Sequence, residues 1–301
     1  MTESRSLNVA VLGPGGVGGL LAALMARAGH RVTCLAGEET VQALRSDGIQ
    51  VSSTQFGEFA AEVDADTVLR QPVDLCLVTV KQTALQVALD RVPSGALGDG
   101  LVVPLLNGIE HPASLRERYR PELVAPGVIR VESSRRAPGR IVHGSPFVEI
   151  DLASSTTDRG RLEALALVLT EAGVTTRVRD DESGALWAKL AFLAPFALLT
   201  TRYGAPIGRI RTEYRHELLA LVEEVAAVSR ACGAPTDTAA SVRLYDAFPA
   251  EAKSSMQRDA EDGRPLETDA IGGAVLRAAE RHAVAVPLAA NLLDEIGRHG
   301  R

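Results

Sequence analysis

The sequence lacks an uninterrupted apolar segment of membrane-spanning length. The apolar run over residues 9–32 is broken near its start by GPGGVGG, and no basic region or small-residue cleavage site frames it as a signal peptide. A later apolar run over residues 190–200 is too short to span a bilayer and contains Pro195. We therefore expect neither a membrane anchor nor a secretion signal.

Cysteine and concentrated positive charge are also scarce. The three cysteines, Cys34, Cys76 and Cys232, lie far apart, and the first two fall in predicted strands, which is typical of buried thiols in a reducing compartment. The formal net charge is -6, and lysine and arginine form no block. We expect a cytoplasmic protein that binds neither nucleic acid nor an anionic membrane.

Two catalytic classes lack their sequence signatures. The six histidines show no metal-ligand spacing, and no G-x-S-x-G element marks a nucleophilic serine, so we expect no metal and no acyl-transfer chemistry.

The composition is that of a globular protein, with 301 residues of which 46% are apolar and 23% charged. This length suffices for two domains.

Glycine, in contrast, is concentrated near the N-terminus. The pattern predicts a buried strand over residues 7–12, a tight loop, and a helix over residues 19–28 that begins inside the glycine stretch. In Gly13-x-Gly15-x-x-Gly18, the first glycine permits the turn, the second lets a pyrophosphate approach the backbone, and the third lets the helix pack on the strand. We predict a dinucleotide-binding loop; the alternative is a structural glycine turn.

Strand and helix patterns alternate through the first half of the chain. Further strands are predicted over residues 31–35, 73–80 and 100–106, and helices over residues 83–91 and 112–119. A hairpin of residues 128–132 with 140–150, around a turn at 136–139, precedes a helix over 159–172 and a strand over 174–178. Repeated βα units of this kind indicate an α/β fold with a parallel sheet.

Only helical periodicity follows residue 180. Helices are predicted over residues 183–202, 206–232, 236–247, 250–261 and 266–282. We therefore predict a Rossmann-type dinucleotide-binding domain over residues 1–178 and an all-helical substrate and dimerisation domain over residues 179–301. The apolar helix faces could form a homodimer or pack within one chain.

Lys189 is a candidate proton donor. It lies on a predicted helix in LWAKL, with Leu186, Trp187 and Leu190 as apolar neighbours. Apolar surroundings make an ammonium group easier to deprotonate, which suits a general acid. The alternative is a lysine that extends to solvent from an amphipathic helix, and the spacing alone leaves both open.

Ser255 and Glu267 form a second candidate pair. In one continuous helix, twelve residues would separate them by about 18 Å. Gly263 and Pro265 interrupt the helix, so a chain reversal could bring the two side chains together. The alternatives are a surface serine and a glutamate that favours a helix N-terminus.

Lys81 and Asn107 each follow a predicted strand of the parallel sheet, in VTVKQ and LLNG. Ligands of open α/β sheets bind at the carboxyl ends of strands, so both side chains are candidate cofactor contacts. The alternatives are an exposed turn lysine and an ordinary Asn-Gly turn.

With these motifs in order, the chain resembles the ketopantoate reductase family, whose members reduce 2-dehydropantoate to pantoate with NADPH. The resemblance extends over residues 8–287 and includes GPGGVGG, VTVKQ, LLNG, LWAKL, SSMQRD and ETDAIGG, followed by a helix that ends in HAVAVP. It implies a nicotinamide cofactor, reduction of a small carbonyl substrate, and a place in pantothenate biosynthesis.

The resemblance also implies roles for individual residues. Lys81 and Asn107 would contact the cofactor near its nicotinamide end, and Asn107 would also contact substrate. Lys189 would bind the substrate and donate a proton to its carbonyl oxygen, Glu267 would orient Lys189 or the cofactor ribose, and Ser255 would bind substrate. The pyrophosphate would lie on the loop formed by Gly13, Pro14, Gly15, Gly16, Val17 and Gly18.

The chain departs from the family where NADP is recognised. NADP-preferring members carry an arginine just after the second strand, and the matching position here is Gly37, followed by Glu38 and Glu39. Carboxylates there repel a 2′-phosphate and can accept hydrogen bonds from a ribose diol. We therefore expect weakened NADP preference or use of NAD.

The substrate positions depart as well. Leu193, Ala197 and Ile207 stand where the family has asparagines that bind ketopantoate. Because losing polar partners costs orders of magnitude in recognition, we expect a ketone or 2-oxo acid with a more apolar body. The rival interpretations are a hydroxyacid- or opine-type dehydrogenase that works mainly in the oxidative direction, and a dinucleotide-binding sensor without turnover.

Overall fold

The computed structural model describes residues 6–299, and the chain divides into two compact units. The first unit comprises Met1–Leu106 and His111–Glu182, and the second comprises Asn107–Glu110 and Ser183–Arg301. A short segment that follows a strand of the first unit thus belongs to the second. The functional domains over residues 1–178 and 179–301 stay a prediction.

All strands lie in the first unit, within the part of the chain that the structure describes. In chain order they are β1 Asn8–Leu12, β2 Arg31–Leu35, β3 Ile49–Ser53, β4 Gly57–Ala61, β5 Asp64–Asp66, β6 Leu75–Val78, β7 Leu101–Pro104, β8 Gly127–Arg130, β9 Ser133–Ala137, β10 Arg140–His143, β11 Glu149–Leu152 and β12 Thr175–Val178.

Helices occur in both units. In chain order they are α1 Gly16–Arg27, α2 Glu38–Asp47, α3 Leu85–Leu89, α4 Ser94–Leu97, α5 His111–Arg118, α6 Arg159–Glu171, α7 Glu182–Tyr203, α8 Ile207–Glu213, α9 Arg215–Ala231, α10 Thr238–Ala247, α11 Ser255–Glu261, α12 Ala274–Arg281 and α13 Pro287–His299. A π-helical turn, Asp269–Gly273, leads directly into α12.

A five-stranded parallel sheet forms the centre of the first unit, in the order β5-β2-β1-β6-β7. Side chains alternate between the two faces of a strand. Val9 and Val11 of β1 accordingly pack in one buried cluster with α1, whereas Leu12 packs in another with Leu85 of α3. Both faces are therefore covered, and the predicted α/β fold with a parallel sheet is confirmed.

The predicted antiparallel pairing of residues 128–132 with 140–150 is correct only in part: Ile129 and Arg130 pair with Ile150 and Glu149, but residues 140–143 pair with residues 133–137 instead. β9 pairs antiparallel with β10 in a sheet ordered β4-β3-β10-β9, whereas β8 pairs with β11 in a sheet ordered β12-β11-β8. The chain passes from one sheet to the other between Arg130 and Ser133, without a turn signal such as Gly or Pro. Residue periodicity does not reveal such a change of partner.

Several helix boundaries also differ from the prediction. α1 begins at Gly16 rather than at residue 19. The glycines of its first turn are helical and lie so close to neighbouring residues that a Cβ on Gly16, Gly18 or Gly19 would overlap them. The helix predicted over residues 206–232 divides into α8 and α9 at Tyr214, whose backbone leaves the helical region at φ -114°. The ring of Tyr214 stacks on Tyr203 at 3.7 Å between centroids.

Two regions contain elements that the sequence patterns did not predict. Between residues 36 and 72 the structure has α2, β3, β4 and β5, and after residue 282 it has α13. β4 is largely exposed, and β5 has only three residues, of which one is buried, so neither strand carries a strong apolar alternation. The sheet partners of these strands, rather than local sequence, account for their conformation.

The second unit packs its helices around one core, which confirms the predicted helix-rich C-terminal region. Within residues 183–299 the structure shows no strand. Trp187, Leu190 and Ala194 of α7 are buried in this core, and the Phe192 ring stacks on Tyr245 of α10 at 4.6 Å. The helix that carries Lys189 therefore contributes to the core of the unit.

One described helix, α7, is long and apolar enough to cross a membrane. It contains the run over residues 190–200 that looked too short in the sequence. Its most apolar window is 61% buried inside the molecule, and core helices of globular proteins pass the same test. This is weak evidence for a membrane span.

Glu182, at the start of α7, is held by an ion pair in the first unit. Arg116 donates to both of its carboxylate oxygens, at 2.8 and 2.6 Å, and the Ser155 amide donates to Oε2 at 2.7 Å. Burial raises the pKa of Glu182, but the hydrogen bonds from Arg116 and Ser155 outweigh it, so the net pKa is lowered from its ordinary 4.5.

We expect Glu182→Gln to lower the free energy of unfolding at pH 7 by about 3 kcal/mol, because Arg116 would keep its charge without its partner. Because the pKa of Glu182 is lower in the folded state, its carboxylate stabilises the fold at pH values above 4.5. This stabilisation is lost as the pH falls through the folded-state pKa, so the unfolding free energies of Glu182→Gln and the unmodified protein should converge in acid. Urea unfolding from pH 7 to pH 3 measures this. Glu163→Gln is the control, because Glu163 forms an exposed pair with Arg159, and it should change the free energy of unfolding by less than about 1 kcal/mol. Equal stability of Glu182→Gln and the unmodified protein at pH 7 would contradict the expectation.

Candidate active site

The glycine loop lies between β1 and α1, where side chains have no room. Gly13 adopts φ +85°, and a Cβ there would lie 2.4 Å from Val80 Cγ1. A Cβ at Gly18 would lie 2.2 Å from Thr79 Oγ1 and 2.4 Å from the Gly13 oxygen. The loop therefore requires glycine at both positions. The predicted succession of a strand, a glycine loop and a helix is present in the structure.

The N-terminus of α1 is suited to an anion. Its N-cap is Gly15, which provides no side-chain hydrogen bond, and its first turn contains no acidic residue. The first amides and the positive end of the helix dipole are thus not neutralised by the helix's own side chains. A pyrophosphate is the kind of ligand that such a terminus binds.

Two polar residues that support this loop were not identified from the sequence. Thr79 Oγ1 donates to the Leu12 and Gly13 oxygens, at 3.0 and 2.9 Å. Ser133 Oγ of β9 donates to the Gly16 oxygen at 2.7 Å, and a Cβ on Gly16 would lie 2.3 Å from the Ser133 oxygen. Thr79 could have been noticed from its position in VTVKQ, whereas no local signal points to Ser133.

Lys81 lies at the carboxyl end of β6, as the sequence indicated. It is exposed and precedes a 3-10 turn, and its neighbour Val80 packs against Gly13. The structure thus places Lys81 beside the glycine loop. Its contact with a cofactor stays a prediction.

Carboxylates follow the carboxyl end of β2. Gly37 is the N-cap of α2, and Glu38 and Glu39 occupy its first turn with exposed side chains. Asp66 of β5 pairs with Leu35 in the sheet, and a hydrogen bond from Arg70 is the main cause that lowers the pKa of Asp66 to about 2. Three acidic side chains therefore lie near the end of β2.

In the second unit, Asn107 and Glu267 meet directly although 160 residues separate them. Asn107 Nδ2 donates to Glu267 Oε2 at 3.0 Å, and Glu267 is only 5% exposed. Gly108, at φ +89°, allows this approach, because a Cβ there would lie 2.5 Å from the Ala270 oxygen. The Asn-Gly turn thus packs directly against the segment that carries the buried glutamate.

Lys189 lies half-buried on α7. One turn further along the helix, Phe192 and Leu193 are also half-buried, so the helix surface next to the ammonium group is apolar. The proposed role of Lys189 as a proton donor is compatible with this position and stays a prediction.

The structure assigns the buried hydroxyl of SSMQRD to Ser254 rather than Ser255. Ser254 is the N-cap of α11, accepts from the Gln257 amide at 3.0 Å and lies 2.8 Å from Thr200 Oγ1. Ser255 is exposed, and its role in substrate binding stays a prediction. The sequence did not distinguish the two serines; the S-x-x-Q spacing of a helix cap was the available signal.

The three positions that replace family asparagines differ in exposure. Ala197 and Ile207 are 1% and 0% exposed and belong to the core of the second unit. Leu193 is half-buried. Only Leu193 therefore offers substantial surface to a ligand in this structure.

A glycine loop at the start of a helix on a parallel sheet, followed by a helical unit, is the architecture of many NAD(P)-dependent oxidoreductases, and comparisons with known proteins show that this chain belongs to that class. Two family models match the chain, ketopantoate reductase PanE/ApbA over residues 9–154 and ketopantoate reductase PanE/ApbA C terminal over residues 182–299. The chain belongs to the ketopantoate reductase family.

Individual relatives agree with this assignment. An uncharacterised oxidoreductase, YkpB, of Bacillus subtilis (strain 168) is 29% identical over 289 residues, covering 92% of this chain and 94% of the relative. A 2-dehydropantoate 2-reductase of Caulobacter vibrioides is 28% identical over 294 residues, covering 93% and 94%. The crystal structure of 2-dehydropantoate 2-reductase from Geobacter metallireducens GS-15 is 29% identical, with a TM-score of 0.89 and coverage of 97% of this chain and 99% of that one.

We expect Gly18→Ala to weaken NADH and NADPH binding at least about tenfold and to destabilise the fold by about 1 to 3 kcal/mol, because the new Cβ would displace Thr79 and the loop. Fluorescence titration of the reduced cofactors and urea unfolding measure the two effects. Gly95→Ala is the matched control, since a Cβ at Gly95 meets nothing within 4 Å. Unchanged cofactor affinity in Gly18→Ala would refute the role of this loop.

Proposed function

We propose that this chain reduces a 2-oxo acid or related ketone to the hydroxy product, with hydride from NADH or NADPH and a proton from Lys189. The observation that carries the proposal is the hydrogen bond between Asn107 and the buried Glu267 carboxylate, at 3.0 Å. It joins two residues that the family resemblance assigns to one site, in a chain that also retains the glycine loop and Lys189.

The reaction needs two transfers to one carbonyl group. The bound cofactor supplies the hydride to carbon. The Lys189 ammonium binds the substrate and donates a proton to the carbonyl oxygen, for which its apolar neighbours Phe192 and Leu193 are favourable because they ease loss of the proton. Glu267 and Asn107 orient Lys189, the ribose and the substrate.

Cofactor and substrate contacts complete the proposed site. The loop from Gly13 to Gly18 holds the pyrophosphate, Lys81 contacts the cofactor beside that loop, and Ser255 contacts the substrate. Residues 1–178 serve as the dinucleotide-binding domain and residues 179–301 as the substrate and dimerisation domain. A cytoplasmic location and a homodimer are part of the same proposal, and absence of nucleic-acid or membrane partners stays a prediction.

The substrate we propose has an apolar body. Leu193 and Phe192 lie one helical turn from Lys189 and are half-buried, so they offer apolar surface next to the reacting carbonyl. Leu193 replaces an amide that the family resemblance assigns to ketopantoate binding. An apolar pocket leaves the hydroxyl of ketopantoate without a partner, which disfavours that substrate.

We expect Lys189→Met to lower kcat for the preferred 2-oxo acid by about 100-fold or more, since general acid catalysis contributes about that factor. Cofactor affinity should stay unchanged. The assay follows oxidation of NADH and NADPH with 2-dehydropantoate, phenylpyruvate and 4-methyl-2-oxopentanoate. Lys253→Met is the matched control, because Lys253 is partly exposed and pairs with Glu261.

Each outcome of this assay has a defined meaning. Better turnover of 2-dehydropantoate than of the two apolar acids would refute the proposed substrate class. Turnover only of the corresponding hydroxy acids with NAD+ or NADP+ would favour a dehydrogenase that works in the oxidative direction. Cofactor binding without any lysine-dependent turnover would favour a sensor.

For the cofactor, we propose weakened NADP preference or use of NAD, because Glu38 and Glu39 begin α2 where a 2′-phosphate would lie. We expect NADH to bind more tightly than NADPH, and Gly37→Arg to tighten NADPH binding about tenfold through one new charge pair. Fluorescence titration measures both. Gly37 has φ -74°, and a Cβ there would meet no atom within 4 Å, so the fold accommodates the new side chain. Gly95→Arg is the control, because a Cβ at Gly95 also meets no atom within 4 Å. NADPH binding as tight as NADH binding in the unmodified protein would contradict the proposal.

A further inference from the structure

The segment Asn107–Glu110 follows β7 in the chain but packs within the second unit. Asn107 donates to Glu267, Gly108 lies against the Ala270 oxygen, and Ile109 packs on the core of the second unit. Every residue up to Ile109 thus contacts the helical unit. The fourth residue, Glu110, forms an ion pair with this unit.

Arg277 of α12 holds Glu110 with two parallel hydrogen bonds. Arg277 Nε donates to Glu110 Oε1 at 3.0 Å, and Nη2 donates to Oε2 at 2.6 Å. This fork geometry fixes both the distance and the orientation of the carboxylate, which a single-point ammonium contact does not. The pair is partly exposed, at 41% for Arg277 and 35% for Glu110.

The third nitrogen of Arg277 is held by the turn that follows Glu267. Arg277 Nη1 donates to Asp269 Oδ1 at 2.6 Å, and Nη2 lies 3.2 Å from the Asp269 oxygen. Gly273 leaves space for this contact, because a Cβ there would lie 2.6 Å from Asp269 Oδ1. One guanidinium group therefore joins the segment that carries Asn107 to the turn that starts two residues after Glu267.

We propose that Arg277 and Glu110 are positioning residues, which hold the Asn107 amide against the Glu267 carboxylate and so set the direction of that carboxylate. This proposal rests on the proposed function of Asn107 and Glu267. Only two residues, Gly108 and Ile109, lie between Asn107 and Glu110, so a shift of Glu110 moves the amide. Displacements of about 1 Å near reacting groups cost up to about 100-fold in rate.

The same contacts could serve stability alone, and a double-mutant cycle separates the two roles. If Arg277 acts through the amide, Arg277→Met lowers kcat about tenfold or more in the unmodified protein but less than about threefold in an Asn107→Ala background. A purely structural role would give the same factor in both backgrounds. The reaction measured is NADH- and NADPH-dependent reduction of the best 2-oxo acid of the panel, well below the unfolding temperature.

Arg215→Met is the matched control for this experiment. Arg215 also makes a two-point ion pair between helices of the second unit, with Asp246 at 2.7 and 3.1 Å, and its exposure of 42% is close to that of Arg277. We expect it to leave kcat within about threefold, since exposed pairs contribute little. Glu110→Gln should reproduce the effect of Arg277→Met, because it removes the same charge pair.

Crystal structures of the unmodified protein and of Arg277→Met test the positioning without any assay. We expect the distance from Asn107 Nδ2 to Glu267 Oε2 to exceed about 3.5 Å in the variant, beyond hydrogen-bond range. An unchanged contact, or an equal loss of kcat in both backgrounds, overturns the inference. If the contact is lost in the variant while the unmodified protein reduces no carbonyl compound, the positioning stands and the proposed function fails.

Discussion

Close packing at the glycines that follow β1 is the constraint on which the first unit depends. The loop backbone has close neighbours on two sides, namely Thr79 and Val80, which follow β6, and Ser133 of β9. A Cβ at Gly13, Gly16 or Gly18 would overlap these residues. The same approach holds the first turn of α1 in place and leaves its amides for a ligand. The conformation of the loop and the accessibility of these amides therefore have a common physical origin.

The second unit obtains its chemistry in a different way. It includes the four residues Asn107–Glu110 from a distant part of the sequence and fixes them with hydrogen bonds and an ion pair rather than by strand pairing. The buried Glu267 carboxylate would be costly without a donor, and the Asn107 amide provides one. The hydrogen bond between these two polar groups is thus also needed for the stability of the fold.

Local sequence predicted the elements that carry strong, regular patterns. β2 matches its predicted bounds, and α6 and β12 match within one residue at each end. β2 and α6 have buried faces that give a regular apolar pattern, and Gly173 in the turn before β12 marks its start. Less regular features were missed. β4 and β5 depend on their sheet partners. The division of β8 and β9 between two sheets leaves no trace in the residue periodicity. Ser254, rather than Ser255, is the N-cap of α11, and this is what distinguishes the two serines.

The sequence by itself determined the glycine loop, the parallel βα pattern, the helical C-terminal half and the absence of an arginine at position 37, since each is a property of neighbouring residues. Tertiary structure alone decided that Asn107 meets Glu267, that Arg277 holds Glu110, and that Ala197 and Ile207 are buried in a core while Leu193 keeps surface. These outcomes depend on contacts between residues far apart in the chain, which spacing along the sequence does not encode.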